Sequence, residues 1–71
     1  MVFDTRIFGQ RLKELRKDKD LTTVQLGKAL GISDATISRW ENGKIRPSVD
    51  SVFQITKFFN VPAGYLIGTE D

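Results

Sequence analysis

The chain contains neither cysteine nor histidine. Without cysteine it forms no disulfide and has no thiol nucleophile, and without histidine it lacks the usual general base and the commonest metal ligand. Zinc sites and histidine-dependent nucleophilic mechanisms are therefore excluded. An enzyme that uses only carboxylates or lysines stays open as an alternative, but no cluster of these residues indicates one. We predict a protein that is not an enzyme and has no metal site and no cofactor.

Long apolar runs are missing as well. No segment approaches the roughly 20 apolar residues that cross a bilayer. The first five residues have neither the basic start nor the apolar stretch of a signal peptide. We therefore expect a cytoplasmic protein without a membrane partner, and no motif indicates a small-molecule ligand. The 71 residues have room for one domain with a small core.

Basic charge is concentrated in the first two thirds of the chain. Residues 1–20 carry six lysines and arginines against four acidic residues, and residues 21–47 carry four against two. Residues 48–71 reverse the balance, with one lysine against three acidic residues. This asymmetry favours one anion-facing side of the domain, although many domains without an anionic partner share it.

Apolar spacing and capping residues predict five helices and no strand, and hence an all-α domain. The predicted helices cover about residues 5–19, 22–30, 33–42, 48–59 and 63–67. The predicted N-caps are Asp4 or Thr5, Thr22, Ser33 and Ser48, and the predicted stops are Gly31, Gly43 and Gly68. The predicted apolar faces are Phe8, Leu12 and Leu15 in the first helix, and Val49, Val52, Phe53, Ile55, Thr56 and Phe59 in the fourth.

The stretch from Thr23 to Trp40 has the composition of two helices joined at a steep angle by a tight turn. Gly27 allows the two helices to approach each other closely, and Gly31 allows the positive φ that the turn needs. The apolar residues that we expect to hold the two helices together are Leu26, Leu30, Ile32, Ile37 and Trp40. This combination is typical of a helix-turn-helix motif.

The second of these helices has two different faces. At 100° per residue from Asp34, Ile37 and Trp40 lie at about 300° and 240°, which places them on the inner side. The small or polar residues on the opposite side are Asp34, Ala35, Ser38 and Arg39. Such a face can enter the major groove of DNA without blocking it. Base stacking is the alternative for Trp40, but its position on the inner side favours the core.

The whole chain resembles the DNA-binding domain of the lambdoid phage repressor and Cro family, also called the Xre family. Residues 33–44, SDATISRWENGK, are similar to the family's recognition helix and the loop that follows it. Pro47 and residues 61–68, VPAGYLIG, also fit the family pattern. The resemblance covers about residues 6–68. It implies a compact five-helix lambda-repressor-like fold for one domain, residues 1–71, and sequence-specific binding to double-stranded DNA.

Two positions depart from the family pattern. Members usually carry glutamine at the start of the second helix, where its side chain reaches the DNA, whereas this chain carries Thr23. Alanine is more usual at Gly27, and a glycine inside a helix costs about 0.5–1 kcal/mol relative to alanine. We therefore expect the second helix to be less stable than that of the relatives.

The outer face of the third helix supplies the predicted base contacts, which are Asp34, Ala35, Ser38 and Arg39. Arg39 is suited to guanine O6 and N7, a bidentate contact worth about 1–3 kcal/mol of discrimination. Ala35 is suited to a thymine methyl group and Asp34 to cytosine N4. A solvated position is the alternative for Arg39, and a helix-dipole interaction without DNA contact is the alternative for Asp34.

The predicted phosphate contacts lie at the start of the second helix, on the third helix and in the loop after it. They are Thr22, Thr23, Thr36, Asn42, Lys44 and Arg46. A helix N-terminus favours an anion, and the resemblance implies that the loop binds the sugar-phosphate backbone. A merely solvated turn is the alternative for the loop.

The resemblance also implies two kinds of contact outside the DNA-facing side. One is an ion pair between Arg16 in the first helix and Glu41 at the end of the third. The other is a dimer contact through Pro62 and Tyr65, for which closure of the monomer core is the alternative.

Four aromatic residues are predicted to lie in the core, although one of them can stay exposed to solvent. They are Phe8, Phe53, Phe58 and Phe59.

These residues predict a phage or bacterial transcriptional repressor that binds a palindromic operator as a homodimer. Its third helices would occupy successive major grooves about 34 Å apart and block RNA polymerase; activation through contact with the polymerase is the alternative. The chain is either a complete Cro-like regulator or the N-terminal part of a longer repressor. The competing hypothesis is an antitoxin-like protein-interaction module, which predicts an exposed apolar patch and weak affinity for DNA.

Overall fold

The computed structural model describes residues 3–69, and these residues form five α-helices and no strand. The helices are α1 (Thr5–Asp18), α2 (Thr23–Leu30), α3 (Asp34–Glu41), α4 (Val49–Phe59) and α5 (Ala63–Ile67). The predicted all-α class is confirmed, and no helix end differs from its predicted position by more than one residue. None of the five helices is long and apolar enough to span a bilayer.

Side-chain hydrogen bonds explain where the first four helices begin. The N-caps are Asp4, Thr22, Ser33 and Ser48. Ser33 Oγ, for example, accepts a hydrogen bond from Thr36 N at 3.2 Å. Thr22 and Gln25 form a reciprocal capping box, in which each side chain accepts from the backbone N–H of the other residue. Each cap satisfies a backbone N–H that the helix itself leaves unpaired.

The core lies where α1 packs against α3 and α5, and where α2 packs against α3. Its fully buried side chains are Phe8, Leu12, Leu26, Ile37, Ile55 and Leu66. Trp40 is 3% exposed, and its ring meets that of Phe8 edge to face with centroids 6.0 Å apart. The core position predicted for Trp40 is therefore confirmed.

The side of α4 that carries Val49 and Phe53 is exposed. Val49 is 71% and Phe53 is 53% exposed, so the prediction that they belong to the buried face of α4 is wrong. The residues that α4 does bury are Val52, Ile55 and Phe59, and at 100° per residue Val49 and Phe53 lie about 60–100° outside that sector. Phe58 is 37% exposed, so two aromatic residues, and not one, are open to solvent. α5 has only five residues and does not cover this side of α4.

Two helical glycines let the backbones of different elements touch. A Cβ atom at Gly27 would clash with the carbonyl oxygen of Ile32, and one at Gly9 would clash with the carbonyl oxygens of Trp40 and Glu41. The close approach predicted at Gly27 is confirmed, whereas the one at Gly9 was not predicted. Because alanine does not fit at Gly27 without a backbone shift, its higher helix propensity is opposed by a steric cost at this position.

Candidate DNA interface

Backbone geometry fixes the angle between α2 and α3. Gly31 has a φ of 71°, in the left-handed region that glycine favours, and Ile32 N donates a hydrogen bond of 2.8 Å to Gly27 O. On the inner side of α3, Ile37 is fully buried and Trp40 is nearly so. These contacts prevent α3 from rotating about its axis, so the core decides which of its side chains face solvent.

The solvent side of α3 carries the four residues predicted to contact bases. Asp34, Ala35, Ser38 and Arg39 are all exposed. Ser38 Oγ accepts a hydrogen bond from Asn42 Nδ2 at 3.5 Å. Among residues 3–69, neither Asp34 nor Arg39 takes part in an ion pair. The structure therefore gathers one cationic, one anionic, one hydroxyl and one methyl side chain on a single accessible face.

Three threonines predicted to contact phosphate lie at or near the first turns of α2 and α3. Thr22 Oγ1 accepts a hydrogen bond from Gln25 N at 3.0 Å, and Thr36 Oγ1 accepts one from Ser33 Oγ at 2.9 Å. A hydroxyl group can accept and donate at the same time, so both threonine hydroxyl groups keep a proton that they can donate to an anionic oxygen. Thr23, the first residue of α2, is partly buried.

The loop between α3 and α4 carries the other three predicted phosphate contacts. Asn42, Lys44 and Arg46 are all exposed. The guanidinium carbon of Arg46 lies 5.2 Å from the centroid of the Phe3 ring, a distance typical of a cation–π contact. This contact ties the loop to the segment that precedes α1.

A further cation, Arg6, lies beside this loop and was not among the predicted contacts. A Cβ atom on Gly43 would lie 3.4 Å from Arg6 Cγ and 3.5 Å from Arg6 Cα, so the start of α1 packs directly against the turn. The Arg6 side chain is 84% exposed, and its only ion pair within residues 3–69 is a 3.8 Å contact with Asp4. The position of Arg6 beside this loop was not predicted, because no local pattern in the sequence shows that α1 begins next to Gly43.

An ion pair connects α1 to the end of α3. Arg16 Nε and Nη2 donate to the two carboxylate oxygens of Glu41 at 2.6 and 2.9 Å, and Arg16 Nη1 donates to Leu21 O at 2.8 Å. The two charged side chains are 12% and 6% exposed. The hydrogen bond to Glu41 raises the pKa of the Arg16 guanidinium, and the charge of Glu41 adds to this effect while burial opposes it. Both members of the predicted pair are thus held between the helices.

The two residues predicted at the dimer contact have different surroundings. Tyr65 is partly buried and packs against the core. The guanidinium carbon of Arg11 lies 4.6 Å from the centroid of the Tyr65 ring, and Arg11 Nη1 donates to Tyr65 O. These contacts hold α5 against α1, whereas Pro62, at the N-terminus of α5, is exposed.

Two short helices joined at a glycine turn, the second with an accessible polar face, define a helix-turn-helix domain. A family model described as helix-turn-helix matches residues 12–66. The chain belongs to this helix-turn-helix family.

Several known proteins are similar to this chain. It is 41% identical over 64 residues to the HTH-type transcriptional activator BcrR of Enterococcus faecalis, over 90% of this chain and 31% of BcrR. It is 34% identical over 64 residues to the antitoxin PezA of Streptococcus pneumoniae, over 90% of this chain and 40% of PezA. The chain therefore spans less than half the length of either protein.

A solved structure extends the comparison to a phage repressor. The crystal structure of the P22 c2 repressor in complex with a synthetic operator matches with a TM-score of 0.84 and 26% sequence identity. The match covers 90% of this chain and 97% of the repressor chain. The resemblance to phage repressors that the sequence indicated is confirmed.

Proposed function

We propose that the chain binds double-stranded DNA sequence-specifically, with α3 in the major groove, and that it regulates transcription in the cytoplasm. The observation that carries this proposal is the accessible face of α3, which is held outward by the buried side chains of Ile37 and Trp40. The likeness to a repressor whose structure holds a synthetic operator supports it.

The four exposed residues of α3 divide the recognition of bases among them. Arg39 presents a planar pair of donors to guanine O6 and N7, which is the commonest specific contact in the major groove. Ala35 offers a methyl group to thymine. Asp34 serves either as an acceptor for cytosine N4 or as a charge that stabilises the N-terminus of α3, and Ser38 adds a hydroxyl group beside them.

The phosphate backbone is bound on both sides of this face. Thr22, Thr23 and Thr36 offer hydroxyl groups, and the N-terminus of α2 adds backbone N–H groups that favour an anion. On the other side, the proposed contacts of the loop and its neighbour are Asn42, Lys44, Arg46 and Arg6. Contacts of this kind set the register of the protein on DNA, while the α3 contacts supply the sequence preference.

We infer that two chains bind a palindromic operator as a homodimer. The molecule measures 31 × 23 × 20 Å, and successive major grooves on one side of DNA are about 34 Å apart. Two copies that touch side by side are therefore of a suitable size for adjacent grooves. By resemblance the contact involves the region of Pro62 and Tyr65. Repression by blocking RNA polymerase is the proposed mechanism, and activation is the alternative that the similarity to BcrR favours.

The test is selection from a random DNA pool followed by sequencing, at two salt concentrations, with Arg39→Ala in parallel. We expect an enriched palindrome in the wild type, and loss of one base preference in each half-site in the variant. Lys13→Ala removes an exposed positive charge of α1 from outside the proposed contact set and serves as the control, which should keep the full palindrome. A preference that survives Arg39→Ala unchanged contradicts the role of Arg39.

A protein-interaction module is the second candidate function. The similarity to PezA, an antitoxin, and the exposed apolar residues of α4 favour it. It predicts that the same selection enriches no motif, and that the binding which remains is weak and equally salt-sensitive for all sequences.

A further inference from the structure

We propose that two copies of this chain associate through the exposed side of α4, with the two helices antiparallel about a two-fold axis near Phe53. We call this surface, made of Val49, Asp50, Phe53 and Lys57, the α4 face. The inference rests on the proposed function in so far as a palindromic operator requires a symmetric pair of chains. It moves the centre of the contact from Tyr65, whose ring is engaged with Arg11, to α4.

The apolar part of the α4 face has the shape that self-association requires. Val49 and Phe53 are one helical turn apart on the same side and are 71% and 53% exposed. They form one wall of a groove of about 260 Å³, whose other lining residues are Phe3, Arg46, Pro47, Val52, Ala63 and Ile67. An interface with two-fold symmetry must be complementary to itself. An exposed phenylalanine on the wall of a largely apolar groove supplies both halves, since Phe53 of each copy can enter the groove of the other.

The charged part of the α4 face selects a second copy as the occupant. Asp50 and Lys57 lie two helical turns apart on the same side of α4, with Phe53 between them. Both are exposed, and among residues 3–69 neither takes part in an ion pair. When α4 is inverted about an axis near Phe53, Asp50 meets Lys57 of the second copy, and the reverse pair forms by symmetry. A parallel arrangement would place like charges together.

The size of the surface sets the strength that we expect. Two exposed apolar side chains and a shallow groove are much less than a stable interface, which buries about 800 Å² on each partner. The pair therefore associates weakly by itself, and binding to adjacent half-sites of DNA strengthens it because the second contact becomes intramolecular.

The decisive experiment compares two charge variants alone and mixed, in the absence of DNA. In Asp50→Lys both ends of the α4 face are positive, and in Lys57→Asp both are negative. We expect each variant alone to weaken the association measured by sedimentation equilibrium by about tenfold or more, as like charges meet across the axis. An equimolar mixture should recover the wild-type association, because each chain then complements the other. Thermal melts followed by circular dichroism establish that each variant is folded.

A second measurement uses the absence of cysteine from the chain. An equimolar mixture of Asp50→Cys and Lys57→Cys, which keeps Phe53, should form a disulfide-linked heterodimer under mild oxidation, whereas Ala29→Cys, at an exposed position of α2, should not cross-link. The proposal is overturned if the wild type stays monomeric at about 1 mM, if the mixture of charge variants associates no better than the separate variants, or if the mixture of Asp50→Cys and Lys57→Cys cross-links no better than Ala29→Cys. It is also overturned if Pro62→Glu abolishes association while the α4 variants do not.

These outcomes are separate from those that test DNA binding. Arg39→Ala should leave the sedimentation of the free protein unchanged. A DNA selection that enriches no motif would contradict the proposed function. If the charge variants nevertheless associate weakly alone and recover in the mixture, the α4 interface stands. Enrichment of a half-site, together with charge variants that associate like the wild type, would contradict the α4 interface and leave the proposed function standing.

Discussion

Arg16 and Glu41 are the charged residues whose removal should cost most stability. Both side chains are largely buried, and Arg16 donates to both carboxylate oxygens and to Leu21 O. Removal of one partner from a buried pair leaves the other charge without compensation. We expect Arg16→Ala or Glu41→Ala to lower the free energy of unfolding by about 3 kcal/mol, measured by urea denaturation.

The double variant and the pH dependence check this interpretation. Arg16→Met combined with Glu41→Leu should be more stable than either alanine variant, because no uncompensated charge remains. The pKa of Arg16 is raised in the folded state. The stabilisation by Arg16 is therefore complete below the ordinary pKa of arginine and is lost only as the pH rises through the higher folded-state value. Arg16 should therefore contribute equally to the free energy of unfolding at pH 7 and at pH 9.

Gly9 is a residue at which a normally favourable substitution should be harmful. Inside a helix, alanine is more stabilising than glycine by about 0.5–1 kcal/mol. At Gly9, however, its Cβ atom would clash with the carbonyl oxygens of Trp40 and Glu41. We expect Gly9→Ala to lower the free energy of unfolding by about 1–3 kcal/mol, the usual cost of overpacking. The neighbouring variant Gln10→Ala, at an exposed position, should change it by less than about 0.5 kcal/mol. A Gly9→Ala variant as stable as the wild type would show that α1 and α3 can separate freely.

Single residues were predictable where their role depends on near neighbours in the chain. Capping by Ser33 and Ser48, the positive φ of Gly31 and the inner position of Trp40 all follow from a few adjacent positions. The role of Gly9 and the position of Arg6 beside Gly43 depend on the packing of α1 against α3 and its loop. Helical periodicity carries no information about such contacts between distant segments, so neither was predicted.

At the scale of helices, α3 and α4 begin with the same device and offer a matched pair of variants. Ser33 Oγ accepts from Thr36 N and donates to its hydroxyl group, and Ser48 does the same with Ser51. Loss of an N-cap costs about 1 kcal/mol, so Ser33→Ala and Ser48→Ala should lower the melting temperature by similar amounts. Only Ser33→Ala should also weaken binding to a single half-site of the selected DNA, where the contact between copies plays no part, because only α3 enters the groove in the proposed complex. Equal loss of DNA affinity in both would contradict this role of α3.

The helices themselves were predicted closely because side-chain N-caps mark the starts of α1 to α4, and glycines follow the ends of α2, α3 and α5. The error lay in the width of the buried face of α4. The sequence shows that Val49 and Phe53 are apolar and predicts that α5 has five residues, but it does not predict that α5 packs where it leaves both of them uncovered. Burial depends on the size and position of the neighbouring element, and apolar spacing within one helix does not contain that information.

At the scale of the whole molecule, the basic charge on the proposed DNA side should appear as a dependence of affinity on salt. Each phosphate contact contributes about 0.9 to the slope of log K against log salt. We expect Arg6→Ala to reduce this slope by about 0.9 and to weaken binding to specific and non-specific DNA alike. Lys13→Ala should leave the slope unchanged. An unaltered slope for Arg6→Ala would place Arg6 away from the phosphates and leave its packing against Gly43 as its only role.

The division of α3 into two sides has a consequence for how this protein changes over generations. Asp34, Ala35, Ser38 and Arg39 are exposed, while the contacts that fix the helix are made by its inner side and by Gly9 and Gly27. In the proposed complex, folding and the choice of operator therefore depend on different residues and are nearly independent heritable traits. With base recognition placed as proposed, one copy of a duplicated gene would acquire a new operator by single substitutions on the outer side, while selection for a stable fold would continue to act on the other side unchanged.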